Sequence, residues 1–351
     1  MIAALSPSAD RADLTAIFDV LAERFDVAVQ RLGRREELLT IAGLRLRVSF
    51  AGDAMRDRLL PALPRVSASA ESDLTLLVWD CASASLSAPL PWRFEDIDAR
   101  GAISIATSDS MRTAYSVGSS ALSMLDLARG LALFRARDAH ELPWWERASP
   151  FRSILHWALE ARGRRFVHAA AVANENGGAL LAGRGGSGKS TTAMLCLENG
   201  FAYAGDDYVG VSIDDDVPQA HALFTSAKLS ASSVDWLPFL HDAICVAPSD
   251  SEKGVAMLGE RFPRQIASSL PLHAVIVPRV TGGTSRLQRI SGGAALRALA
   301  PTTLLQLPGS GAETFAALAN LVRRLPAWSL DLGDDRTEIP RLVARAIEES
   351  R

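Results

Sequence analysis

The sequence predicts an α/β protein in two parts, a mixed α/β region over residues 1–142 and a second α/β region over 143–351 organised around a strand, a glycine-rich turn and a helix. Three observations predict it. At 351 residues the chain is long enough for about two domains. Apolar residues in both parts switch between the twofold alternation of strands and the helical spacing of about 3.6 residues. A short apolar segment at 178–182 runs into Gly183-Arg184-Gly185-Gly186-Ser187-Gly188-Lys189-Ser190 and then into helical spacing.

In chain order, residues 14–25 carry helical apolar spacing, and 37–50 alternate on both sides of Gly43 as a hairpin would. Residues 53–63 return to helical spacing, 74–80 read as a buried strand, and 83–91 form a Ser/Ala/Pro loop. Short strands are expected at 102–106 and 113–117. Residues 143–162, with Trp144, Trp145, Ile154, Leu155 and Leu159, read as a connector whose amphipathic helix packs on the second part, which places the boundary near Leu142. Beyond it, 166–173 and 178–182 read as strands, and 190–199 as a helix closed by Gly200. A third strand at 201–205 leads into Asp206-Asp207, and 208–213 continue as strand before the acidic turn Asp214-Asp215-Asp216. Strands at 274–278 and 286–290, then helices at 292–299, 312–325 and 339–349, complete the second part.

Composition excludes several classes. A formal net charge of -3, with 22% charged and 48% hydrophobic residues, is ordinary for a globular protein and gives no electrostatic case for a nucleic-acid partner. Cys81, Cys196 and Cys245 are widely spaced and odd in number, so neither a disulfide framework nor a Cys-pair metal site is expected, and a reducing, cytoplasmic setting fits. No segment has the length of a membrane span; the most apolar, 121–134, is interrupted by Asp126 and Arg129. The first ten residues lack the basic start and apolar run of a signal peptide. The sequence sets no oligomeric state, and a homo-oligomer is allowed for.

The glycine-rich segment matches G-x-x-x-x-G-K-[ST], after an apolar strand and opening a helix, which is the context that motif requires. Glycines let consecutive N–H groups turn inward on phosphate oxygens, and the helix N-terminus adds partial positive charge. Gly183 to Ser190, with Thr191, are therefore expected to bind ATP, Lys189 reaching the β- and γ-phosphates and Ser190 holding Mg²⁺. Lys189, Lys228 and Lys253 are the only lysines among 37 basic side chains. Where arginine fills nearly every basic role, a lysine can mark a need for a compact ammonium, although Lys228 and Lys253 are equally readable as surface residues.

Asp206-Asp207 follow the loop by one helix, one glycine and one short strand, which puts them at the carboxyl end of the strand expected to lie next to the loop. One acid of the pair can serve the metal while the other faces an incoming hydroxyl; an isolated pair of this kind would otherwise read as a solvated turn. His168, in the strand before the loop, reads either as a core histidine or as a partner that fixes the charge state of the acid pair.

His168, the loop and Asp206-Asp207 together resemble the HPr kinase/phosphorylase family, bacterial serine kinases whose phosphate-loop core is related to that of phosphoenolpyruvate carboxykinase. The resemblance to the enzyme proper covers about 166–213. It implies that Asp207 acts as base toward a serine hydroxyl, which leaves Asp206 to the metal, and that His168 assists it. Over most of its length the chain is similar to HPr-kinase-like proteins found beside peptide-tailoring genes, including lasso-peptide clusters, through His168-Ala169-Ala170-Ala171-Val172, Gly205-Asp206-Asp207-Tyr208, Ser226-Ala227-Lys228-Leu229 and 299–307. Two departures stand out. Thr191 replaces the family's Glu after the loop Ser, and no Glu/Arg/Gly-rich signature lies between Lys228 and Arg261. These leave a second metal contact and phosphorolysis without residues, and the unlike N-terminal region, given a role in substrate recognition, argues against HPr as acceptor.

The expectation is an ATP- and Mg²⁺-dependent kinase acting on a hydroxyl, Ser first, of a peptide or protein acceptor such as a biosynthetic precursor peptide. The alternatives are a kinase of a small hydroxylated metabolite and a nucleotide-sensing module without robust transfer. Two further segments are set aside. Ile290-Ser291-Gly292-Gly293-Ala294 resembles a transporter-ATPase signature but is followed by no acid through Gly311, and Arg162, Arg164 and Arg165 read as a solvated turn before they read as a clamp for an acidic peptide.

Overall fold

The computed structural model describes residues 11–64, 71–87, 90, 92–213, 216–249, 252–309 and 311–351, with side chains from residue 14 onward. The expected acidic turn at 214–216 and the loop at 83–91 thus fall partly outside the described residues. The chain forms two compact units, one of residues up to Ala161 with Leu307–Gly309, the other from Arg162 onward with Ala62–Pro64.

The first unit opens with α1 (Arg11–Leu32), whose Leu14, Ile17, Phe18, Leu21 and Phe25 recur at helical spacing and are all buried. Gly33 ends it, with φ +80° and its N–H on the Val29 carbonyl. β1 (Arg34–Ile41) and β2 (Leu44–Ala51) pair as a hairpin through Ala42-Gly43, both at positive φ, as a two-residue turn matching strand twist requires. After α2 (Ala54–Leu59) come β3 (Leu74–Asp80), α3 (Cys81–Ala84), β4 (Met111–Ser116), β5 (Ala121–Asp126) and β6 (Leu131–Ala136). The six strands form one mixed sheet, β1-β2-β3-β6-β5-β4, with β3 parallel to both neighbours.

The apolar run at 121–134 is a hairpin, turned where Asp126 Oδ1 accepts the N–H groups of Ala128 and Arg129. One expectation changes here. Residues 102–106 are not a strand. Ala102 makes a single bridge to Ala114, and Ser104–Ala106 is a 3₁₀ turn, because the buried Ile103 and Ala106 stand three apart, a spacing that such a turn satisfies and a strand does not.

The connector helices, α4 (Trp144–Ala148) and α5 (Arg152–Glu160), go with the first unit, so the division falls after Ala161 rather than near Leu142. Phe151 packs edge-on against Phe134 at 5.2 Å, and Trp157 Nε1 donates to the Pro308 carbonyl at 3.2 Å, so the apolar stripe expected to face the second part is spent within this unit.

The second unit comprises β7 (Arg165–Val167), β8 (Ala170–Asn174), β9 (Gly177–Leu181), α6 (Lys189–Glu198), β10 (Ala202–Gly205), β11 (Val209–Ser212) and β12 (Gln219–Ala222). Then follow β13 (Ser226–Leu229), α7 (Ala231–Trp236), β14 (Ile244–Val246), β15 (Gly254–Met257), β16 (Ser269–Val280) and β17 (Arg286–Ile290). α8 (Gly292–Gln306), α9 (Ala312–Arg324), β18 (Ala327–Leu332) and α10 (Glu338–Glu348) complete it. The main sheet runs β10-β8-β9-β16-β12-β11-β7, with β18 bonded to β16 and β17; the parallel pairings in it are β9 with β16 and β16 with β18. β13-β15-β14 form a small separate sheet.

Strand alternation feeds two cores. Ala170, Val172, Ala179 and Leu181 join α6 and α10 on one face, while Ala171, Leu180 and Ala182 join α8 and α9 on the other. The strand expected at 166–173 is two strands broken at His168-Ala169, because β7 pairs with β11 whereas β8 pairs with β9 and β10. The helix expected at 292–299 runs on past Pro301 to Gln306, which puts Thr303 and Gln306 within reach of the site. No described helix is long and apolar enough to cross a membrane.

Candidate functional site

The glycine-rich loop joins β9 to α6. It is anchored where the Ala182 N–H meets the Ile276 carbonyl at 2.8 Å. Gly183 and Gly188 are required sterically: both have positive φ, and a Cβ would stand 2.5 Å from Ser187 Oγ at the first and 2.2 Å from Leu332 Cδ1 at the second. A Cβ on Gly185 or Gly186 meets nothing within 4 Å, so the loop faces open space there. α6 starts on Gly188 without a side-chain cap, leaving its first N–H groups for an anion. Lys189 is buried and folds back over the loop, its Nζ donating to the Gly183 carbonyl at 2.6 Å and the Arg184 carbonyl at 3.2 Å. Burial pulls its pKa down, and the charges of Asp206 and Asp207 partly oppose this. Ser187 Oγ is buried with no hydrogen-bond partner.

Asp206 and Asp207 follow Gly205, whose φ of +156° and 2.9 Å approach of a would-be Cβ to the Tyr208 carbonyl mark a tight turn. The pair stands at the end of β10 but not on the strand beside the loop. β8 lies between β10 and β9, antiparallel to both, so the ends of β10 and β9 still point the same way.

The two carboxylates differ. Asp206 is buried; its Oδ2 accepts the Lys228 N–H at 2.9 Å, and its Oδ1 has no partner. Burial raises its pKa, against the Lys228 N–H and a nearby Ser190 hydroxyl that makes no well-aligned hydrogen bond. For Asp207 burial acts in the same direction, but the Lys228 ammonium and the His168 ring outweigh it and hold the carboxyl well below the usual range. Lys228 Nζ sits 2.6 Å from Asp207 Oδ2, and His168 Nε2 lies 3.1 Å from Asp207 Oδ1. The break between β7 and β8 frees the His168 N–H, which donates to Thr303 Oγ1 at 3.1 Å. The Tyr208 ring stands edge to face with His168 and under Lys228 Nζ, and its hydroxyl donates to Gln306 Oε1 at 2.6 Å.

The loop, His168, the two carboxylates and Lys228 line one cleft of about 440 Å³, within the range typical of small-molecule sites, with Thr303, Tyr208 and Gln306 outside its lining. Of the residues singled out in the sequence, His168, Gly185 through Thr191, Asp206, Asp207, Lys228 and Lys253 line it. Gly183 and Arg184 do not; their carbonyls hold Lys189 instead. Arg165 pairs with Glu313, and Ser291 Oγ merely accepts the Ala294 N–H at the start of α8. The sequence reading missed Ser230, Ser232, Ser233 and Trp236 on and before α7, and Leu332, Asp334 and Ile339 near the C-terminus. Only the serine run after Lys228 carried any signal. No cluster of three or more His, Cys, Asp or Glu able to hold a metal occurs among the described residues. Ser190 and Asp206 both line the cleft and offer oxygens that could hold a divalent cation together with ligand or water oxygens.

No family model matches the chain, and no curated protein matches it in sequence. Among solved structures it is similar to the Hpr(Ser) kinase/phosphatase from Coxiella burnetii at 10% sequence identity and a TM-score of 0.31, over 52% of this chain and 95% of that one. At that level the likeness assigns no role to any residue, and the reading of the site rests on its own geometry.

Proposed function

We propose that the protein is a kinase that uses ATP and Mg²⁺ to phosphorylate a hydroxyl, Ser in first place, on a peptide or protein. The observation that carries the reading is Asp206 Oδ1, a buried carboxylate oxygen without a partner, in one cleft with an uncapped helix N-terminus and a second carboxylate held ionised. An unsatisfied buried carboxylate oxygen costs free energy unless something meets it, and a divalent cation that Ser190 and Asp206 would hold would supply the missing partner.

In this reading the N–H groups at the start of α6 cradle the phosphates. Lys189 exchanges its two loop carbonyls for phosphate oxygens, a small movement for a flexible ammonium. Ser190 and Asp206 hold Mg²⁺, which supplies charge neutralisation on the phosphates when bound. Asp207 orients the acceptor hydroxyl and takes its proton as the oxygen bonds to the γ-phosphorus and the bond to the bridging oxygen of ADP breaks. Its low pKa makes Asp207 a weak base, which is adequate where catalysis consists mainly of positioning and electrostatic stabilisation. His168 and Lys228 fix its orientation, and Lys228 adds a second buried lysine to the cleft besides Lys189.

One observation favours a nucleotide-binding module without transfer: both Asp207 oxygens are already engaged. A carboxylate offers about four lone-pair sites, so two remain for a hydroxyl. Incubation with γ-labelled ATP, Mg²⁺ and serine-containing acceptors tests the reading, with label expected on an acceptor hydroxyl and lost in Asp207→Asn. ATP binding without transfer to any peptide, protein or small hydroxylated acceptor would sink it in favour of the binding module.

A further inference from the structure

We infer that the apolar wall of the cleft seats the base of the nucleotide, and that this base is a purine stacked on the indole of Trp236. The inference rests on the nucleotide reading above and adds the residue that selects the base.

The loop sets a direction. With Lys189 on the β- and γ-phosphates and the backbone N–H groups on the α- and β-phosphates, the transferred end lies toward Asp206 and Asp207, and the nucleoside leaves on the other side. The cleft extends along the loop to α7. From Lys228 the lining residues continue through Ser230 and Ser233 to Trp236, and Thr191 Oγ1 lies 3.0 Å from Ser233 Oγ, so α7 is tied to the first turn of α6. A base carried beyond the α-phosphate reaches α7.

What it meets there is apolar and rigid. Leu332 Cδ1 occupies the space that a side chain on Gly188 would need, so this wall abuts the loop directly. Leu332 and Ile339 belong to the buried core behind it. α7 is seated on that core by Val234 and Leu237, and Arg336 Nη1 holds the Trp236 carbonyl at 2.9 Å. Yet Trp236 remains 37% exposed, a large apolar side chain that with Val280 stands open in a cleft otherwise lined, beyond Leu332 and Ile339, by glycine, hydroxyl and charge. Apart from the His168 ring it is the one aromatic side chain among the described residues lining the cleft. An indole offers a two-ring face, and a purine covers it more fully than a pyrimidine does. Asp334 borders the same wall, its Oδ2 held by the Gly283 N–H at 2.9 Å, and its carboxylate supplies an acceptor for an amine on the edge of the base.

The test compares Mg·ATP, Mg·UTP and Mg·tripolyphosphate binding by calorimetry in the wild-type chain, Trp236→Ala and Trp236→Phe. Expected are tighter binding of ATP than of UTP or tripolyphosphate by the wild type and a loss of ATP affinity of about tenfold or more in Trp236→Ala. Tripolyphosphate affinity should stay within about twofold, the ATP preference over UTP should shrink, and Trp236→Phe should recover most of the loss. Unchanged ATP affinity in Trp236→Ala, or an equal loss for ATP and tripolyphosphate, overturns the inference; the second result makes Trp236 a support of the loop. If the wild type binds tripolyphosphate as well as ATP, the base seat fails while the phosphate-binding reading stands. If it binds none of the three, the nucleotide reading fails and the base seat falls with it.

Discussion

Asp206 and Asp207 are adjacent, alike in chemistry and opposite in the direction of their pKa shifts, because burial prevails at one while at the other the Lys228 ammonium and the His168 ring outweigh it. That asymmetry is what a division between metal ligand and hydroxyl partner needs, and it is testable residue by residue. Asp207→Asn should leave Mg·ATP affinity nearly intact while transfer falls about 10²-fold or more, read by comparing calorimetry with single-turnover labelling. Stability should separate the pair as well. Asp207 has a folded pKa below its unfolded value of about 3.9, so its contribution is present above that value and lost only as pH falls through the lower folded value. Asp207→Asn should therefore lower Tm between pH 5 and 7 by a nearly constant amount. Asp206 has the opposite sign: its raised pKa means that ionisation costs folding free energy at neutral pH, so Asp206→Asn should leave Tm unchanged or higher while weakening the response to Mg²⁺. A drop in Tm for Asp206→Asn as large as that for Asp207→Asn would contradict the assignment. Lys228→Arg should already impair turnover, since a planar fork does not replace a compact ammonium 2.6 Å from Asp207 Oδ2; full activity in that variant would return Lys228 to a packing role.

At the scale of elements, the site depends on interruptions of regular structure. The break at His168-Ala169 releases a backbone N–H that Thr303 recovers, and Thr303 is available because α8 continues beyond Pro301. Removing the hydroxyl in Thr303→Val leaves that buried N–H unpaired, a cost of about 1–3 kcal/mol, and should also reduce turnover by loosening His168. Denaturant unfolding and kinetics on the same variant check both parts. In the loop, the glycines are not equivalent. Gly188→Ala places a Cβ at positive φ and against Leu332, and should cost about 1–3 kcal/mol and abolish nucleotide binding. Gly185→Ala meets open space and should stay within about 0.5 kcal/mol of wild type in denaturant midpoint, so equal destabilisation of the two would mean that the loop geometry is wrong.

At the scale of the molecule, ligand binding couples the cleft to the stability of the second unit, whose loop, acid turn and α7 all contribute to it. A ligand at a hundred times its Kd adds about 2.7 kcal/mol, a shift visible in a thermal melt. Lys189→Ala should abolish most of the ATP-dependent shift while leaving the melt without ATP nearly unchanged; an undiminished shift would remove Lys189 from the site.

The sequence by itself determined whatever depends on neighbours along the chain: the hairpin at Ala42-Gly43, β3 residue for residue, the strand, glycine loop and helix from β9 to α6, and the closeness of Asp206 and Asp207 to one another. His168 and Lys228 could be singled out by type, but their distances to Asp207 could not, since those depend on which strands pair. Only the tertiary structure decided that β8 stands between the loop strand and β10, that the helices after Pro143 serve the first unit, and that Trp236, Leu332 and Ile339 share a cleft with the loop. The physical reason is the same in each case. Turn and cap chemistry acts over a few residues and is written locally, whereas strand order and the convergence of side chains are set by which apolar faces bury each other across long stretches of chain.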